Sequence, residues 1–154
     1  MRKNLSLDEL RGMLERPLLA VLATNYYRDG TTLLSPVWQE WTDGGFTILV
    51  FDDDAKARAI KRDPRVTVVV ADPQVPCAGI EVRAEAQIVP TDPNLSPLWR
   101  MGARYIGAAR TKAWLDTIDP SSQLTLRVVP GKLRTWDYAD EAPFSPTAPE
   151  FNQV

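Results

Sequence analysis

Residues 79–89 read Gly79-Ile80-Glu81-Val82-Arg83-Ala84-Glu85-Ala86-Gln87-Ile88-Val89, the most regular alternation in the chain. In an extended strand Ile80, Val82, Ala84, Ala86 and Ile88 fall on one side, and Glu81, Arg83, Glu85 and Gln87 on the other. A strand with one apolar and one charged face belongs to an antiparallel sheet that covers a core on one side only. Upstream, residues 65–71 contain Val66-Thr67-Val68-Val69-Val70, a β-branched run that predicts a buried strand. Further out, residues 18–23, 31–41 and 46–51 read as three more strands. Arg28-Asp29-Gly30 and Asp43-Gly44-Gly45 separate them, with the residue types that short hairpin turns need. Residues 123–129 and 132–138 extend the series to seven.

The period changes in three places. Ser6-Leu7-Asp8-Glu9 is a capping box with Leu5 placed as a staple, so residues 6–15 predict a short helix. Residues 52–62 are rich in alanine and basic groups, follow three aspartates and stop at Asp63-Pro64, which predicts a helix of about two turns. Residues 95–109 and 111–118 read as a helical excursion carrying Trp99, Tyr105 and Trp114. The expected fold is therefore mainly β with short helices, a six- or seven-stranded antiparallel barrel, closed so as to hide the sheet edges. Residues 1–138 form the expected domain. Residues 139–154, with Pro143, Pro146 and Pro149, read as an extended acidic tail.

A chain of 154 residues, 44% apolar and 25% charged, sits at globular averages and suits one core. No apolar run approaches the ~20 residues needed to span a bilayer, and the polar N-terminus opens no signal-peptide core. A cytoplasmic protein without a membrane partner is expected. The sequence has no histidine and one cysteine, Cys77. Ser-His and Cys-His nucleophile pairs, His-ligated zinc or haem, Cys-x-x-Cys motifs and internal disulfides are thereby excluded, and no metal site is expected. Four of the 20 acidic residues, Asp137, Asp140, Glu141 and Glu150, follow Arg134, leaving 16 acidic against all 18 basic residues in 1–134. That balance does not supply the dense basic face of a nucleic-acid binder.

Lys56, Arg58, Lys61, Arg62 and Arg65 place five cations in ten residues. With Asp52, Asp53 and Asp54 ahead of them, they match the charge distribution that any solvated helix favours, and they also suit a phosphate site. Two roles are open to the aspartates, capping the helix and facing a bound anion. Trp38 and Trp41 alternate along their strand, so they belong to different surroundings.

Pro36-Val37-Trp38, then Lys56-Ala57-Arg58 and Lys61-Arg62-Asp63-Pro64-Arg65-Val66, then Ile80-Glu81-Val82-Arg83-Ala84-Glu85-Ala86, occur in an order that resembles the pyridoxamine 5'-phosphate oxidase-like, FMN-binding split-barrel superfamily. Among its branches the chain looks most like the one that uses the deazaflavin coenzyme F420. Arg104-Tyr105-Ile106-Gly107 and Leu133-Arg134-Thr135-Trp136-Asp137-Tyr138 resemble later segments of those proteins, so the likeness covers residues 6–138. It implies a homodimer of split barrels with the cofactor, coenzyme F420 or alternatively FMN, held between subunits. Lys56 would then contact its phosphate, the strand holding Ser35, Pro36, Val37 and Trp38 would run beside its ring, and Arg58 and Val50 are further candidates for holding it. It implies hydride transfer to a small unsaturated or conjugated substrate, with catalytic residues unassigned because the chemistry belongs to the cofactor. The alternatives are a non-catalytic relative that sequesters cofactor or binds another ligand, and a dimeric structural domain. Substrate specificity is expected in loops such as 72–78.

Overall fold

The computed structural model describes residues 5–25, 28–139 and 141. Its strands form two antiparallel sheets. Strands β1 (Ala20–Asn25), β2 (Thr32–Val37), β5 (Arg65–Asp72), β6 (Ala78–Glu85) and β9 (Lys132–Asp137) make a five-stranded sheet in the order β2-β1-β5-β6-β9. Strands β3 (Glu40–Thr42), β4 (Gly45–Phe51), β7 (Gln87–Val89) and β8 (Gln123–Val128) make a four-stranded sheet in the order β3-β4-β8-β7. The described residues also form four short α-helices, α1 (Leu7–Leu14), α2 (Ala55–Arg62), α3 (Ser96–Ile106) and α4 (Ala108–Leu115), and a 3-10 turn at Pro120–Ser122. Among the described residues no helix is long and apolar enough to cross a membrane. The tail read over 139–154 lies outside the described residues except for Ala139 and Glu141.

The architecture is the expected split barrel, with two corrections. Residues 31–41 are not one strand but two, β2 and β3, which belong to different sheets. Residues 79–89 divide in the same way into β6 and β7 at Ala86, whose N–H makes the last bond in the β5–β6 register, to the Pro64 carbonyl at 2.8 Å, before the chain passes to the other sheet. The barrel is also not closed, since β2, β9, β3 and β7 all remain sheet edges. Both follow from one physical cause: a strand that turns a corner carries its inner face from one sheet to the next without breaking alternation. Ile88 shows what the corner changes, since it shares the parity of buried Ile80, Val82 and Ala86 yet is 48% exposed on the edge strand β7.

The core lies between the sheets. Leu22, Val68, Val70, Ile80 and Val82 from one sheet meet Phe46, Ile48 and Leu126 from the other, and all are fully buried. Trp41 packs edge-on against Phe46 at 4.7 Å between ring centroids. Helix α1 closes part of this core with Leu10 and Leu14. Its start is the expected capping box, in which Ser6 Oγ accepts from the Glu9 N–H at 3.2 Å and Glu9 Oε2 accepts from the Ser6 N–H at 2.8 Å. A second cluster, around Leu95, Leu98 and Met101, holds Trp38, Tyr105 and Trp114. The helical excursion thus carries a small core of its own, and Trp38 and Trp41 do fall in different surroundings. Its break comes at Gly107 (φ 84°) rather than at residue 110.

Gly79 lies opposite Trp136 in the β6–β9 ladder. A Cβ on Gly79 would come 2.1 Å from Trp136 Cζ2, so the indole lies flat over the bare backbone, with the Arg134 guanidinium 5.8 Å from the ring centroid. Gly79→Ala must displace that ring and is expected to cost about 1–3 kcal/mol, the usual penalty of overpacking. Urea unfolding measures it, and an unchanged midpoint would show that Trp136 does not rest on this glycine.

Candidate functional site

A cleft of about 540 Å³ opens where the β2–β3 corner, the end of β4, the start of α2 and the α3–α4 pair meet. Pro36, Val37 and Trp38 form one side, and Leu49, Val50 and Phe51 of β4 form the floor. Leu98, Met101 and Ile106 of α3 and Trp114 of α4 form the opposite wall, and Leu19 adds one more apolar contact. Only Asp54, Lys56 and Gln123 are polar, and they cluster. Gln123 pairs with Phe51 in the β4–β8 ladder, and the Asp52 N–H donates to the Ser122 carbonyl at 2.8 Å, which fixes the start of α2 against the same strand end. The cleft is therefore apolar along most of its length and charged at one end. Its volume is that of a small-molecule site.

Of the residues read as binding candidates, Pro36, Val37, Trp38, Val50 and Lys56 line this one cleft. Two do not line it. Ser35 lies in β2 opposite buried Leu22, and Arg58 reaches back along the helix to donate to the Asp53 carbonyl. Residues 72–78, expected to govern specificity, are not among its lining. Leu98, Met101 and Trp114 were not singled out as site residues, although Leu98, Met101 and Tyr105 follow the spacing of one helical face. Among the described residues no group of three or more metal-ligating side chains assembles.

The three aspartates resolve into separate roles. Asp54 holds the N-cap position of α2, which begins later than the expected residue 52, but its side chain makes no capping bond. Its carboxylate pairs instead with Lys56. Asp52 pairs with Lys61 at 2.6 Å, and Asp53 contributes its carbonyl to Arg58. Among the described residues the carboxylate paired with the cleft's lysine is thus that of Asp54, and no side chain there bonds the first-turn amides of α2.

Behind the cleft, a buried polar knot fixes the corner that carries Trp38. Tyr105 lies parallel to the Trp38 indole, 5.2 Å between centroids and 3° between planes, while Trp114 meets it edge-on at 5.3 Å. The Tyr105 hydroxyl donates to the Leu18 carbonyl at 2.6 Å. Burial pushes this phenol above its ordinary pKa, which keeps the donor proton in place. Arg104 donates to the carbonyls of Gln39 and, at 3.2 Å, of Leu14, the last residue of α1. A cation at that helix terminus also meets the negative end of the helix dipole. Gln39, fully buried, donates its own amide to the same Leu14 carbonyl at 3.1 Å. Helix α3 thereby bolts the β2–β3 corner to α1.

Residues 6–137 match the sequence model of a family described as pyridoxamine 5'-phosphate oxidase. No functionally curated protein matches the chain. Among solved structures, a conserved hypothetical protein of Mycobacterium tuberculosis is 26% identical, with a TM-score of 0.69 over 88% of this chain and 86% of that one. A structure described as an F420 reductase is 29% identical, with a TM-score of 0.64 over 80% of this chain and 94% of that one. A FAD-binding protein of Mesorhizobium loti, 20% identical with a TM-score of 0.59 over 88% of this chain and 97% of that one, shares the fold.

Proposed function

The chain belongs to the pyridoxamine 5'-phosphate oxidase family, and we propose that it is an oxidoreductase that binds a flavin-type cofactor and passes a hydride to a small unsaturated or conjugated molecule. The observation that carries this reading is the segregation of the cleft, with Lys56 at one end and flat apolar walls along the rest. A ligand made of a planar ring system and an anionic group fits that arrangement at both ends. Coenzyme F420 is favoured over FMN by the likeness to the F420 reductase.

The bound cofactor supplies the hydride chemistry. The protein's residues bind and orient. Lys56 and the first-turn amides of α2 would take the anionic group, Val37 and Val50 would lie along the ring, and Trp38, Met101 and Trp114 would wall the space in which the reacting molecule meets it. The protein is further proposed to work in the cytoplasm as a homodimer. On the outer face of the five-stranded sheet Val21 stands opposite Pro36, and Leu34, 63% exposed, stands opposite Ala23. With Leu19 these make a contiguous apolar patch beside the cleft mouth, the kind of surface that a second copy covers.

Lys56→Ala is expected to weaken binding of coenzyme F420 and FMN by about 1–3 kcal/mol, the loss of a charge-assisted contact. Asp54→Ser frees Lys56 and removes a repelling charge, so it should tighten binding by roughly 0.5–1 kcal/mol, less at high salt. Titrations followed by tryptophan quenching measure both. A wild-type protein that binds neither cofactor, with Asp54→Ser no better, would sink this reading and favour a non-catalytic split barrel that holds another ligand.

A further inference from the structure

Helices α3 and α4 meet at Gly102. A Cβ on Gly102 would lie 2.5 Å from Thr111 Cγ2 and 2.8 Å from Thr111 Oγ1, so the missing side chain is what lets Thr111, fully buried, sit against α3. Thr111 is held in register by its backbone N–H, which donates to the Gly107 carbonyl at 3.0 Å, and its hydroxyl donates to the same carbonyl at 2.8 Å. One turn beyond Thr111, α4 presents Trp114 to the edge of Trp38. Beside Gly102 on α3, Met101 and Leu98 face the same cleft.

We infer that Gly102 is the positioning residue for the aromatic wall of the cleft, and that this wall selects an uncharged, flat ring system as the reacting partner. The three polar lining residues all lie at the α2 end. A charge placed between Trp38, Trp114 and Met101 would lose its water and find no partner, a cost that a neutral ring does not meet. The inference names the substrate class of the proposed reaction and rests on that reading; the wall itself forms with or without cofactor.

The test uses the full chain, the variants Gly102→Ala, Thr111→Ala and the two combined, and the neutral probe 2-acetonaphthone. Wild type is expected to bind the probe and to show the circular-dichroism exciton signal of the Trp38–Trp114 pair. Gly102→Ala should lose that signal and about tenfold in probe affinity. Adding Thr111→Ala removes the colliding atoms and should restore both to within about twofold, while Thr111→Ala alone leaves both in place. In a background carrying both Lys56→Ala and Asp54→Ser, where the lining holds neither cation nor carboxylate, 2-naphthoate should bind about tenfold more weakly than 2-acetonaphthone. Intact signal and affinity in Gly102→Ala, or a folded double variant that recovers neither, would overturn the role of Gly102. If Gly102→Ala does not fold, recovery of fold and signal in the double variant supports the role, and a double variant that stays unfolded overturns it. Wild type that ignores 2-acetonaphthone, or prefers 2-naphthoate in that background, overturns the substrate class. Protein that binds the probe but neither cofactor loses the proposed reaction and keeps the wall.

Discussion

Phe46→Ala is expected to lower the unfolding free energy by about 3–5 kcal/mol. Phe46 is fully buried on β4, faces Val128 across the ladder to β8, and receives Trp41 edge-on. No other side chain stands ready to refill the space, because its neighbours belong to strands whose positions the ladders fix. A domain of this size has roughly 5–15 kcal/mol in total, so the loss removes a large share of the stability margin. Phe46→Leu keeps most of the volume and should cost about 1 kcal/mol. Denaturant unfolding distinguishes the two, and a loss below about 1.5 kcal/mol for the alanine variant would mean that the core closes around the gap. Phe46 does not line the cleft, so the folded fraction should bind cofactor as wild type does.

Arg104→Leu should cost about 2–3 kcal/mol, by leaving the Gln39 carbonyl without its donor inside the protein and removing one of two donors from Leu14. Unlike the core variant, it should also weaken ligand binding, because Gln39 adjoins Trp38 and the knot is what fixes that ring. Arg104→Lys, which cannot span both carbonyls with a rigid fork, should fall between leucine and wild type in both respects. Full cofactor affinity in a destabilised Arg104→Leu protein would show that the corner holds Trp38 without α3.

How much of this was legible in advance depends on the range of the interaction involved. The capping box of α1, the alternation of β6 and the β-branched run of β5 are local, and each emerged where its residues stood. The corner at Ala86 is not legible because the sequence alternation runs through it unbroken, and the corner at 38–39 because Val37-Trp38-Gln39-Glu40 carries no turn residue; only pairing with a distant strand separates β2 from β3 or β6 from β7. The start of α2 was read too early because Asp52 and Asp53 look like helix-leading residues, whereas their carboxylate and carbonyl are engaged by Lys61 and Arg58 from within the helix. Lys56, Val50 and the Pro36-Val37-Trp38 segment were brought together by family likeness, not by any pattern within the chain. Trp114 escaped notice as a site residue because its position depends on a glycine–threonine contact between two helices, which carries no periodic signal.

The connection between β7 and β8 leads to a different kind of consequence. These two strands are hydrogen-bonded neighbours, with Val89 opposite Thr125. Thr91 Oγ1 ties the near end of their connection to the Gln123 carbonyl at 3.0 Å and lies 2.9 Å from Thr125 Oγ1. Everything from residue 90 to 122, including α3 and α4, leaves and re-enters the sheet through that single clamped gateway. Closing such a connection costs little more when it is long than when it is short. The segment can therefore be exchanged as a cassette, by recombination or by grafting, without rewriting the strand order. Because it supplies one apolar wall while β4 and α2 supply the charged end, an exchange that keeps Arg104 and Tyr105, which hold the Trp38 corner, would replace one half of the recognition surface and leave the other in place. The gateway divides the protein into a part open to exchange and a part that carries the strand order.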